Sequence, residues 1–128
     1  MDYKNTAQFL RVFVDLSGKH GDLASVVIDE GHHISDDERQ QITRELNTGE
    51  TAFVNNLAKA DISIMHPQGE IDFAGVAALG TAWLLTKLSH GSIGVMKGRG
   101  GYITVSRDKD HVGTDKFSDY AALASQAT

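Results

Sequence analysis

One carboxylate stands where the chain passes from a turn into an apolar strand. Asn47-Thr48-Gly49 is turn-forming, Glu50 follows it, and Thr51-Ala52-Phe53-Val54 begins an extended run. A carboxyl beside a glycine turn, with Phe53 and an apolar helix nearby, is open to partial desolvation, the setting in which it serves as a general acid or base. From spacing alone, a surface Glu at a sheet edge is the commoner reading. The second candidate is a helix start. Phe73-Ala74-Gly75 leads into a helical run with no Ser, Thr, Asp or Asn immediately before it. Its first N–H groups and the helix dipole together favour an anion, and a glycine permits close approach. The alternative is that Gly75 and Gly80 simply let a buried helix pack tightly. Asp72 fits a capping role only for a helix that begins earlier.

Other chemistries find little support. His32 and His33 are adjacent, and the remaining histidines are scattered without an i, i+4 pair, so no metal site is expected. Gly98-Arg99-Gly100-Gly101 lacks a following Lys-Ser or Lys-Thr and runs into a strand, so it reads as a tight turn rather than a phosphate loop. There is no Gly-x-Ser-x-Gly elbow. With no cysteine, thiolate metal sites, disulfides and cysteine-based racemase chemistry are excluded. The 128 residues carry 12 Lys plus Arg against 17 Asp plus Glu, a formal charge of -5, and the basic residues form no stripe, which argues against nucleic acid. Hydrophobic residues make up 41 %, enough for one soluble domain with a modest core. No apolar run approaches the roughly 20 residues of a membrane span, and Met-Asp-Tyr-Lys-Asn does not begin like a signal peptide, so the expected location is cytoplasmic.

The elements that must position these groups are legible in the patterning. Phe9 to Leu16, apolar and β-branched with a polar interruption, reads as a buried strand, and Leu23 to Ile28 as a second. Ser35 and Glu38 form a capping box, with Asp36 and Asp37 in the first turn, so a helix is predicted over Asp36 to Leu46. Ile42 and Leu46 face the protein, Ile34 is placed as a hydrophobic staple, and Arg39, Gln40 and Gln41 are expected on the wet face. Strands are predicted from Glu50 to Val54 and over Asp61 to His66, the latter ended by Pro67-Gln68-Gly69. Gly75 to Leu88 is apolar nearly all round, which predicts a central, enclosed helix. Ile93 to Met96 and Tyr102 to Ser106 read as short strands, Arg107 to Asp110 as a polar turn, and Phe117 to Thr128 as a short helix or a frayed tail.

Gly49-Glu50-Thr51-Ala52-Phe53-Val54, Phe73-Ala74-Gly75 and Leu79-Gly80-Thr81-Ala82-Trp83-Leu84-Leu85 together resemble the phenazine biosynthesis PhzF-like family of isomerases and epimerases. Gly21-Asp22-Leu23-Ala24-Ser25-Val26-Val27 is similar to the family's Gly-Asn-Pro-Leu-Ala-Val-Val, and Met65-His66-Pro67 with Glu70 to its Phe-Thr-Pro stretch. The resemblance covers residues 8 to 90 as an amino-terminal half. Gly98 to Val105 looks more like the end of the carboxy-terminal half, so one complete lobe is implied.

The resemblance implies the diaminopimelate epimerase fold, in which each half wraps a curved sheet around a central helix and the site lies between halves. It implies Glu50 as the acid/base that moves a proton between carbons of a small carboxylic acid, without metal or organic cofactor. It also implies Gly75, Val76, Ala77 and Asp22 as substrate-binding positions. Val76 stands where the family has His, Ala77 where it has Pro, and Asp22 where it has Asn. The acidic Asp-Pro-x-Thr-Gly-Ser motif of the second half is absent. The expectation is therefore an α+β lobe, a curved and mostly antiparallel sheet around the Gly75 to Leu88 helix, paired as a homodimer. Its function is either isomerase-like proton transfer or non-catalytic binding of a small acid or assembly with a partner.

Overall fold

The computed structural model describes residues 7–13, 21–89, 94–108, 111–114 and 117–126. Their order is β1 (Gln8–Phe13), β2 (Gly21–Ile28), α1 (Asp36–Leu46), β3 (Thr51–Asn56), β4 (Asp61–His66), β5 (Gly69–Ile71), α2 (Gly75–Ser89), β6 (Val95–Gly98), β7 (Gly101–Asp108), β8 (His111–Thr114) and β9 (Phe117–Gln126). The strands form one sheet in the order β3-β2-β1-β9-β8-β7-β6-β4-β5, and β3 also pairs with β4, so the sheet curls back on itself. Strand β4 makes this possible by sharing one edge: Asp61 pairs with Lys97 of β6, and Ile64 to His66 pair with β5. Pairing is antiparallel except at β2–β3 and β4–β6.

Period-two alternation assigns the two faces of the sheet. Ala24 and Val26 of β2, Ala52 and Val54 of β3, and Ile62 and Ile64 of β4 turn inward onto α2 in the main core. Val27, Phe53 and Met65 turn outward and meet Ile34 and Ile42 in a smaller cluster under α1. Helix α2 can occupy the inside because it is apolar on every side, and its own Thr81 and Thr86 hydroxyls donate back to the carbonyls of Ala77 and Ala82. At Gly80 an added Cβ would lie 3.2 Å from the Ala24 Cβ and 3.3 Å from Leu10 and Val12 side-chain carbons, so the glycine sets how closely helix and sheet approach. Among the described residues no helix is long and apolar enough to cross a membrane.

Helix α1 begins and ends as its caps dictate. Ser35 accepts from the Glu38 N–H at 3.2 Å, and Asn47 closes the helix in the left-handed region at φ 56 while donating to the Thr43 carbonyl. Its wet face is narrower than expected. Arg39 is completely buried, because positions 39, 42, 43 and 46 form the stripe that rests on the sheet, and Arg39 occupies its first place. Gln40 is half-buried and donates to the Pro67 carbonyl at 2.9 Å, whereas Gln41 is exposed.

The chain's end also departs from expectation. Phe117–Gln126 is a strand, hydrogen-bonded to β8 on one side and to β1 on the other, with Leu10 opposite Gln126 and Phe13 opposite Leu123. The Ala-rich composition suggests a helix, but β1 and β8 each offer an open edge, and tertiary pairing outweighs local propensity. Strand β5, unforeseen, is the short return after the Pro67-Gln68 turn. Residues 98–101 form the tight turn expected, with Gly98 opposite Gly101. Of the predicted strand Phe9 to Leu16, residues 14–16 lie outside the described residues, as do positions 109 and 110 of the polar turn and 127 and 128 of the tail.

Candidate functional site

Where β2 begins, β3 begins and α2 begins, the chain leaves an open cleft of about 510 Å³. Strand β2 contributes Asp22 and Leu23, the turn after α1 contributes Asn47 and Thr48, Glu50 leads into β3, α2 contributes Val76, and β1 contributes Arg11. Three of the residues singled out from sequence, Glu50, Asp22 and Val76, thus come together from segments far apart in the chain. Two others stand apart. The Ala77 side chain is buried in the main core, and Gly75 is half-buried at the helix start without lining the cleft.

Local chemistry explains how Glu50 reaches this place. Gly49 adopts φ +88, a left-handed conformation that strains any residue with a Cβ, and turns the chain sharply after the helix. The Thr48 hydroxyl bridges this turn by donating to the Glu50 carbonyl at 3.2 Å. Continuing the β3 alternation back from Val54 and Ala52 places Glu50 on the α2 side of the sheet. It is half-buried there. Behind it, the Ser25 hydroxyl lies 2.6 Å from Thr48 and 2.7 Å from Thr51, and both Ser25 and Thr51 are fully buried.

The helix start behaves as its sequence requires. The first hydrogen bond into α2 runs from the Ala78 N–H to the Ala74 carbonyl at 2.9 Å, so the N–H groups of Gly75, Val76 and Ala77 precede any intrahelical acceptor. Asp72 does not cap them. Its carboxylate is exposed and lies 3.3 Å from Arg99 Nε, and Arg99 also donates to the Glu70 carbonyl.

Arg11 was not singled out by sequence reasoning, although the signal was visible as one of two charged residues, with Asp15, inside the apolar run from Phe9 to Leu16. It lies between Leu10 and Val12, which are fully buried, and therefore points to the opposite, exposed face. Among the described residues Arg11, Asp22 and Glu50 form no ion pair. No group of three or more potential ligands able to hold a metal occurs among them. His32 lies 3.4 Å from Asp36 at the mouth of α1, and both are exposed.

A second polar cluster, on the α1 side of the sheet, serves the fold. The Asp29 carboxylate accepts from the His33 N–H at 3.0 Å, the Ile34 N–H at 2.8 Å and Arg39 Nη2 at 2.8 Å. The same Nη2 donates to Asn55 Oδ1 at 2.7 Å, and the guanidinium carbon sits 4.7 Å from the centre of the Phe53 ring. Burial acts to raise the Asp29 pKa, but the Arg39 hydrogen bond and the two backbone N–H groups outweigh it and hold the carboxyl below its ordinary value.

The arrangement fits one known family. The model for phenazine biosynthesis-like proteins of the PhzC-PhzF type matches residues 10–121, nearly the whole chain. The chain belongs to the PhzC-PhzF family. The match continues past residue 90, through β6 to β9. A PhzF-family phenazine biosynthesis protein from Enterococcus faecalis is 22 % identical with a TM-score of 0.66, over 82 % of this chain and 42 % of that one. A protein from Pseudomonas aeruginosa described as a predicted epimerase is 21 % identical at a TM-score of 0.61, over 82 % and 40 %. The PhzF-family protein from Bacillus anthracis is 17 % identical at 0.63, over 84 % and 38 %. At these identities the likeness is one of fold, and this PhzC-PhzF chain spans about two fifths of each solved relative's length, consistent with a single lobe. No curated protein matches the chain.

Proposed function

We propose that this chain is an isomerase-like protein that moves a proton on a small carboxylic acid through Glu50, without metal or organic cofactor. The observation that carries the reading is the convergence of Glu50, Asp22 and Val76 in one cleft at the start of an enclosed helix. In this reading Glu50, half-buried and fixed by the Gly49 turn, takes the proton from carbon and returns it elsewhere. The N–H groups of Gly75, Val76 and Ala77 favour the negative charge that the substrate carboxylate carries. Asp22 lines the approach. A second lobe closes the cleft in this proposal, supplied by another copy of the chain, so that a homodimer in the cytoplasm carries two Glu50 side chains facing a shared space.

Incubating the purified protein with a panel of small carboxylic acids in D2O, and following carbon-bound protons by NMR, tests the reading. Wild type is expected to wash out one C–H signal, and Glu50→Gln, isosteric but unable to carry the proton, to leave it intact. Exchange at the wild-type rate in Glu50→Gln would remove the catalytic assignment. Sedimentation at micromolar concentration tests the dimer, and a stable monomer would remove the shared cleft.

One observation favours a second reading. Val76 places an apolar side chain in the cleft where the resemblance would place an imidazole. A cleft lacking that polar group suits a non-catalytic binder of small acids or an assembly partner, for which a bound acid keeps all its carbon-bound protons in D2O.

A further inference from the structure

Two helix starts compete for one backbone donor. Asp72 stands before Phe73, Ala74 and Gly75, and an aspartate side chain reaches the N–H groups two and three residues ahead of it, as at an N-cap. Those belong to Ala74 and Gly75. With Asp72 as cap, the helix would begin at Phe73 and the Gly75 N–H would be occupied, whereas the observed start at Gly75 leaves that N–H without an intrahelical acceptor. What separates the two starts is where one exposed carboxylate turns.

The β6–β7 turn decides this. Arg99 Nε lies 3.3 Å from Asp72 Oδ1, and Arg99 Nη1 donates to the Glu70 carbonyl at 2.9 Å, so one guanidinium holds the chain on both sides of Ile71. The turn's backbone is close as well, since a Cβ added at Gly100 would lie 3.0 Å from the Asp72 Cβ. Strand β5 is last in the sheet and pairs only with β4 among the described strands, so this turn braces the run into α2 from the other side. The Arg99 and Asp72 side chains are 54 % and 69 % exposed, and such a pair adds little to stability. Its effect is on direction.

We propose that Arg99 is a positioning residue for the start of α2: by drawing the Asp72 carboxylate toward the β6–β7 turn, it keeps the Gly75 N–H open to a ligand carboxylate. Without Arg99, Asp72 caps its own helix and sets a full negative charge where an incoming acid brings another, which blocks the helix start from within. The effect on acid binding rests on the proposed function. The placement of the Asp72 carboxylate does not.

Amide exchange with water, followed by NMR on the isotope-labelled 128-residue chain, reads the Gly75 N–H directly. Arg99→Met removes the charge and the donors at an exposed position. It is expected to slow Gly75 exchange and to weaken the binding of butyrate, titrated by amide chemical shifts, each by about fivefold, the factor that one capping bond supplies. Arg99→Met combined with Asp72→Ala is expected to return both to their wild-type values, a rescue that a mere loss of turn packing would not allow. Unchanged Gly75 exchange in Arg99→Met overturns the proposal, and so does a double variant that exchanges as slowly as the single one. Equal affinity of wild type and Arg99→Met for butyrate, where wild type binds it, overturns it too. No response of wild type to butyrate would instead remove the acid from the helix start, and the Gly75 exchange rates would then decide the role of Arg99 alone.

Discussion

The Ser25 hydroxyl lies 2.6 Å from the Thr48 hydroxyl, and this contact joins the buried interior of the β2–β3 pair to the turn that carries Glu50. The direction of the hydrogen bonds follows from counting protons. Thr48 has one hydroxyl proton and donates it to the Glu50 carbonyl, so it accepts from Ser25. Ser25, having spent its own proton, accepts from Thr51 at 2.7 Å. A one-way chain therefore runs from Thr51 through Ser25 and Thr48 to the Glu50 backbone, drawing together β3, β2 and the turn.

Ser25→Ala is expected to break this chain at its centre. The Thr51 hydroxyl is fully buried and would lose its acceptor, and Thr48 would lose its donor. Leaving a buried hydroxyl unsatisfied costs about 1–3 kcal/mol, measurable as a lower midpoint in urea with an unchanged slope. Replacing Thr51 by Val in the same background removes the orphaned group and should recover part of the loss. A urea midpoint unchanged by Ser25→Ala would show that the chain carries no stability.

The Asp29–Arg39 pair yields a prediction in pH. The folded-state pKa of Asp29 is lowered from 3.8, so the folded state holds this proton more weakly than the unfolded chain does. Its contribution is then fully present above the ordinary carboxylate range and is lost as pH falls through that range toward the folded value. Asp29→Asn should flatten the acid side of the stability–pH curve. At neutral pH it should destabilise by about 3–5 kcal/mol, because the completely buried Arg39 charge loses its counterion. Asp29→Asn combined with Arg39→Met should lose less than Asp29→Asn alone. Urea melts from pH 3 to pH 7 of wild type and the two variants decide it, and equal acid limbs in wild type and Asp29→Asn would assign the acid sensitivity elsewhere.

How much of this was legible beforehand divides along physical lines. Both helices were readable, α1 from the Ser35 cap and α2 from an apolar surface that only an enclosed helix can carry. Period two gave Asp61–His66 its strand. Arg39 was misplaced because charge was read as exposure, although its 39, 42, 43, 46 spacing already put it in the buried stripe. Its counterion Asp29 lies ten residues earlier, and no local pattern links them. Strand β9 was missed for a similar reason: what makes it extended is the free edge of β1, over a hundred residues away. In the cleft, Glu50 was reached through its turn and Asp22 and Val76 through motif resemblance. Arg11 belongs to no motif, and it reaches the cleft's lining from the other face of the sheet, where the β1–β2 register sets it opposite Leu23.

Val76→His tests what the apolar residue at the helix start does to the cleft. The side chain at position 76 lines the cleft with Glu50 and Asp22, and its own N–H is among those preceding the first intrahelical acceptor. An imidazole there would add a donor and, once protonated, a second cation. Near a helix N-terminus the dipole disfavours a positive charge by roughly 0.3–1 kcal/mol, while the two carboxylates favour it. The carboxylates carry full charges and the dipole only about half of one, so protonation is expected near or above the ordinary histidine value of about 6.5. Butyrate binding should then strengthen as pH falls through that value in Val76→His and stay level over the same range in wild type. Amide-shift titrations of butyrate at pH 5.5 and pH 8 measure this effect. A Val76→His variant with the same affinities at the two pH values would mean that position 76 does not face the bound acid.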